Sequence, residues 1–159
     1  MLSSCNDGDI LTVNLEFDKE LSLCGDENSN NYVIYDTKTD PNESLTFLFP
    51  VSSANNLIFK PVDNPHTGDL DINNSSIKFN YRIYDGDPSG LICQEIPSST
   101  VNITKDYTAE DGTIEYISTY EDVDGVRTVT ITFNITILDL DVINTTNGVL
   151  GTYTHSFSL

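Results

Sequence analysis

The run from Val126 to Val142, VRTVTITFNITILDLDV, constrains the fold of this chain more than any other stretch. Val129, Ile131, Phe133, Ile135 and Ile137 alternate with Thr128, Thr130, Thr132, Asn134 and Thr136. Period-two alternation of β-branched and aromatic residues with hydroxyl and amide residues predicts a strand with one dry face and one wet face. After Ile137 the phase slips: Leu138, Leu140 and Val142 become the apolar set, with Asp139 and Asp141 as the polar one. A one-residue slip sends side chains to the opposite face, so a bulge or bend is expected there. At about 3.3 Å per residue a straight run would span roughly 50 Å, so it is expected to kink and continue as a second strand. Asp139 and Asp141 would share one face of that continuation, where solvation is the role expected of them.

The same rhythm recurs along the chain. Leu11, Val13, Leu15 and Phe17 predict a first strand, followed by the Leu21 to Cys24 run and a polar loop from Gly25 to Asn31. Tyr32 to Thr37 predicts a strand, Lys38 to Ser44 a turn around Asp40-Pro41-Asn42, and Leu45, Phe47 and Phe49 a short strand that Pro50 ends. Leu57-Ile58-Phe59 predicts another strand, and Pro61 to Leu70, with two prolines and a glycine, a loop. Ile77, Phe79, Tyr81 and Ile83 alternate with polar residues up to the Asp85 to Gly90 turn, which leads into Leu91-Ile92-Cys93, closed by Pro97. Val101 and Ile103 mark a brief strand, and Ile114, Tyr116 and Tyr120 one face of a longer one. Asp122-Val123-Asp124-Gly125 predicts the hairpin into the Val126 strand, and Asn147-Gly148 a turn into Tyr153, Phe157 and Leu159. No segment shows helical spacing. Roughly nine or ten short strands predict an all-β fold, an antiparallel β-sandwich of Ig-like kind, with a closed β-barrel as the alternative. Residues 10–159 read as a single sandwich domain and residues 1–9 as a tether ahead of it.

Charge narrows the partners. Seven Lys plus Arg against 25 Asp plus Glu give a formal charge of −18, spread from Asp7 to Asp141. Such a surface repels nucleic acid phosphates and anionic membranes, which argues against nucleic acid as a partner. No apolar stretch approaches the roughly 20 residues of a membrane-crossing helix.

At the front of the chain, Leu2-Ser3-Ser4-Cys5 is followed by the polar, acidic Asn6-Asp7-Gly8-Asp9. These four residues resemble the lipobox of bacterial lipoproteins, and the chain is similar in this respect to small Gram-negative envelope lipoproteins. The resemblance implies lipidation at Cys5, residues 1–9 as the tether, and residence at the outer membrane facing the cell surface or periplasm. Acyl chains contribute about 0.8 kcal/mol per buried methylene, an anchorage that a protein this acidic could not obtain from charge. With Cys5 lipidated, Cys24 and Cys93 remain, each beside an apolar run, and an oxidising envelope predicts a disulfide between them.

Chemistry-bearing motifs are few. Asp122-x-Asp124-Gly125 and Asp85-Gly86-Asp87 resemble fragments of Asp-rich calcium loops, because carboxylates alternating in a turn can converge on a hard cation. An EF-hand loop begun at Asp122 would need an acidic residue where Phe133 stands, and Asp-Gly is itself a common hairpin pair, so turns are the stronger expectation and calcium the weaker. His66 and His155 are the only histidines, with no Cys or His at ligand spacing; His155 continues the face of Tyr153 and Phe157. No Gly-x-Ser-x-Gly elbow and no phosphate-cradling glycine loop is present. With no Trp, the eight tyrosines fall mainly within strand runs, where packing is the default role. The expected function is therefore non-catalytic: a protein-binding or accessory subunit of an envelope assembly, docking through exposed sheet edges. A glycan- or ligand-binding, adhesive module assisted by calcium is the alternative, and a small hydrolase a distant third.

Overall fold

The computed structural model describes residues 20–73, 76–94, 100–139 and 146–159, with the backbone alone at 137–139 and 146–150. Nine strands and one short helix are described: β1 (Ser22–Cys24), β2 (Asn31–Thr39), β3 (Asn42–Pro50), α1 (Ser53–Phe59), β4 (His66–Asp71), β5 (Lys78–Tyr84), β6 (Ile103–Thr108), β7 (Asp111–Val123), β8 (Val126–Asp139) and β9 (Thr146–Ser158). They form two antiparallel sheets, ordered β1-β2-β3-β5-β6 and β4-β7-β8-β9. Among the described residues neither sheet closes on itself, so the expected sandwich is found and the closed barrel is not. The chain builds β1 to β3, crosses through α1 and β4 to the second sheet, returns for β5 and β6, and ends in the β7-β8-β9 meander.

Alternation assigns the faces. Ile34, Leu45, Phe47, Phe49, Phe79 and Tyr81 point inward from the first sheet; Ile114, Tyr116, Val129, Ile131, Phe133 and Ile135 point inward from the second. Side chains of this size each stabilise the fold by about 1.5–3 kcal/mol when fully buried. Rings from the two sheets meet, with Phe49 and Phe133 centroids 5.9 Å apart. One charged residue is enclosed at the end of β3: Glu43 is buried and accepts a 2.5 Å hydrogen bond from the Tyr81 hydroxyl. Burial and that bond both raise the Tyr81 pKa, so the phenol keeps its proton.

The long strand keeps its predicted irregularity. Asp111 pairs with Asp139 but Gly112 with Ile137, so Leu138 is an extra residue in the ladder, the bulge expected where the apolar phase slips. Residues 140–142 lie outside the described residues, as do the Leu11 to Phe17 strand and Pro97. The β7–β8 hairpin turns on Asp124 (φ 52°) and Gly125 (φ 78°), the paired positive φ of a two-residue turn.

Three expectations are corrected. Leu57-Ile58-Phe59 is not a strand but the last turn of α1, which buries Ile58 and Phe59 between the sheets. Ser52 caps it by accepting a 3.0 Å bond from the Asn55 N–H, and the buried Ser118 hydroxyl donates to the Ile58 carbonyl at 2.7 Å. Local pattern could not show this, because a seven-residue helix is held by packing rather than propensity. Pro61 to Leu70 is not all loop: His66 to Leu70 belong to β4, paired along β7, with the prolines confined to the segment before it. Gly68 stands there because the Tyr116 ring lies over it, and an added Cβ would come within 2.6 Å of the Tyr116 hydroxyl. Asn147-Gly148 is not a turn either; both residues pair with Thr136 and Ile135 inside β9.

Candidate functional site

Among the described residues, two features of the sandwich are open to a partner: the edge of β9 beyond Thr152 and a groove on the outer face of the first sheet. Natural sheets guard their edges with shortness or charge, since an unpaired edge is a template for another strand. Here β1 has three residues, β4 carries Asp69 and Asp71, and β6 carries Lys105 and Asp106. The fourth edge, β9, runs for 13 residues without a single Asp, Glu, Lys or Arg. Among the described residues, the one backbone bond across that edge is Leu21 N–H to the Thr152 carbonyl, at 2.9 Å. In an antiparallel strand alternate residues address opposite neighbours, so the same geometry turns the N–H and C=O of Thr154, Ser156 and Ser158 outward. All three residues are exposed.

On the core side of this strand His155 is stacked between Tyr153 (5.2 Å between centroids) and Phe157 (5.8 Å). Burial lowers its pKa, a hydrogen bond with the Phe59 backbone opposes that, and Lys60 adds to the lowering. The buried Nδ1 has no hydrogen-bond partner among the described residues. Lys60 reaches over the Phe157 ring at 5.6 Å.

The groove arises from how β5 connects to β6. Tyr84 ends β5, the described crossover residues 85–94 and 100–102 include those that lie over the sheet's outer face, and Ile103 begins β6 beside β5. Cys93, within that crossover, is joined by a disulfide to Cys24 on β1, at the far edge of the same sheet, with Cα atoms 5.9 Å apart. The predicted cysteine pair is therefore a roof clamp. At the crossover's other end Asp85 Oδ1 and Oδ2 accept bonds from the Asn102 N–H (2.7 Å) and side-chain amide (2.9 Å). Between floor and roof lies a half-open groove of about 380 Å³. Outward residues of the sheet, Val33, Thr46, Leu48, Asn80 and Arg82, form the floor, and Leu91, Ile92, Gln94 and Val101 form the roof. Behind them the buried Ser44 and Tyr84 hydroxyls bond to each other at 2.8 Å.

The remaining candidates fall elsewhere. Asp87 accepts from the Ser89 hydroxyl and from the Ser89 N–H (2.8 Å), a local turn. The Asn102 N–H and amide lower the Asp85 pKa, and the Ser89 hydroxyl and N–H lower that of Asp87, so both carboxylates already have donors. Asp122 forms a two-pronged pair with Arg127 (both bonds 2.7 Å), which lowers its pKa, and Arg127 lies 3.6 Å above the Tyr120 ring. Asp124 is the first turn residue of the hairpin. Among the described residues no three His, Cys, Asp or Glu side chains are placed to hold a metal. His66 meets the Tyr116 hydroxyl at 3.3 Å; its cross-strand neighbour Ser118 is buried and committed to the helix end. All eight tyrosines are buried or half-buried, so none forms an exposed platform. Cys5, the 1–9 tether and Asp141 lie outside the described residues, as does the side chain of Asp139.

No protein family model, curated protein or solved structure matches this chain. The groove was not legible in the sequence, because its floor and roof are brought together only by sheet register and the disulfide. The β9 edge left a signal that composition overlooks: a long uncharged run in an acidic chain.

Proposed function

We propose that this protein is a lipid-anchored, non-catalytic binding subunit of a bacterial outer-membrane assembly, docking a strand of a partner protein along β9. The observation that carries the proposal is the uncharged Tyr153 to Ser158 half of that edge, with Thr154, Ser156 and Ser158 exposed. A partner strand there would bond to the outward groups of Thr154, Ser156 and Ser158, the strand-addition mode of peptide recognition. The Cys24–Cys93 disulfide supports an exported protein, since such bonds persist in oxidising compartments. The Cys5 anchor rests on the lipobox-like start, and fatty-acid labelling that is lost in Cys5→Ala tests it. An Ig-like kinship draws support from the crossing of β4 between sheets, although β5 beside β3 with β6 outside differs from the A-B-E-D order of that fold.

The docking test uses edge variants. Thr154→Pro and Ser156→Lys are expected to reduce co-purification with a membrane complex after mild detergent extraction by about tenfold or more. Each removes or guards outward backbone groups whose several hydrogen bonds contribute about 0.5–1.5 kcal/mol apiece. A Thr67→Pro change on the opposite edge should leave recovery unaltered. Equal recovery of all three variants would end the proposal.

A further inference from the structure

The groove under the crossover is independent of the β9 edge, and nothing in the docking proposal uses it. We infer that it is a binding site for an aliphatic carboxylate, held by Arg82 and Asn80 at its polar end and by the disulfide-clamped roof along its apolar length. Its volume of about 380 Å³ lies within the range of small-ligand pockets. The walls are aliphatic: Val33 and Leu48 below, Leu91, Ile92 and Val101 above. Tyr84 is the one ring among the described lining residues, buried with its hydroxyl bonded to Ser44, and the aliphatic majority of the lining suits a hydrocarbon chain better than a sugar ring.

The polar end is cationic in an otherwise acidic molecule. Arg82 and Lys78, two of the seven basic residues, share the outward face of β5 with Asn80 between them. The Arg82 Nε lies 3.1 Å from Asp106 Oδ2, but the pair lacks hydrogen-bond alignment and the buried Nε–H has no acceptor among the described residues. Asp106 is itself drawn toward the Asn80 amide (3.4 Å), which also donates to Thr108 (2.9 Å). Of the described acids of the crossover, Asp85 is engaged by Asn102 and Asp87 by Ser89. A planar guanidinium with an unsatisfied N–H matches a carboxylate, and an amide beside it adds orientation. Ile92 and Gln94 flank Cys93 and Leu91 lies two residues before it, so the Cys24 bond fixes the roof's height.

Calorimetric titration of the disulfide-intact protein with octanoate and 1-octanol separates charge from chain. Saturable 1:1 binding of octanoate is expected, with octanol weaker by about tenfold or more, the loss of a charged hydrogen bond. Arg82→Gln should bring octanoate down to the octanol level. Leu91→Trp should fill the groove and abolish both without moving the melting curve, and reduction of the disulfide should weaken both. A leucine-ending peptide with a free carboxylate, compared with its amide, distinguishes a chain terminus from a fatty acid as the source of the carboxylate. The inference is overturned if octanoate binds no better than octanol, if Leu91→Trp leaves binding intact, or if no saturable binding occurs. Thr154→Pro, which addresses the docking edge, should leave octanoate binding unchanged.

Discussion

His155 illustrates what a single residue contributes. It sits on the core side of β9 between two rings, with a buried nitrogen lacking a partner among the described residues and Lys60 nearby. Each of these surroundings favours the neutral imidazole, and its pKa falls below the ordinary 6.5. The unfolded chain therefore binds a proton at a higher pH than the folded one does. Stability from this group is full above about pH 6.5 and is lost as pH falls through the folded-state value. Urea midpoints measured at pH 7.5 and pH 5 should fall more in the wild type than in His155→Gln. An equal change in the two proteins would remove His155 from the acid response. The sequence placed His155 on the right face, since it continues the Tyr153 and Phe157 alternation, but its missing partner is a fact of packing.

At the scale of the element, the β7–β8 hairpin is the part most completely written in local chemistry. Asp124-Gly125 takes positive φ at both positions, and a Cβ added at Gly125 would meet nothing within 4 Å. The cost of Gly125→Ala is then purely that of left-handed backbone, about 1–2 kcal/mol, while Gly125→Asn should cost less because asparagine enters that region readily. Chemical unfolding of the two variants checks the order. Helix α1 is the opposite case. Its residues carry no helical period, and it exists because Ile58 and Phe59 fill the space between the sheets while Ser118 holds its end. Likewise β4 is a strand because β7 offers it a ladder, and Asn147-Gly148 stays extended because β8 does the same.

For the whole molecule, the disulfide is the longest covalent constraint among the described residues. It closes 69 residues and ties the β5–β6 crossover to the opposite edge of its own sheet. In the chain-entropy account such a loop contributes about 4 kcal/mol by restricting the unfolded state. Reduction, or a Cys24→Ala/Cys93→Ala double change, should lower unfolding free energy by about that amount while β-sheet circular dichroism at low denaturant persists. Loss of the sheet signal without denaturant would mean that the clamp holds the fold and not only the roof.

The amino-acid order alone determined that this chain makes strands, which residues of the long strand face the core, where its ladder bulges against β7, and where it turns at Asp124-Gly125. Each of these follows from a local period or a turn's demand for positive φ. Tertiary structure alone decided which strands share a sheet, that Leu57 to Phe59 coil into a helix, and that Arg82 and Leu91 face one groove. Those outcomes depend on register and on chain crossings between residues far apart in sequence, and no local pattern encodes them.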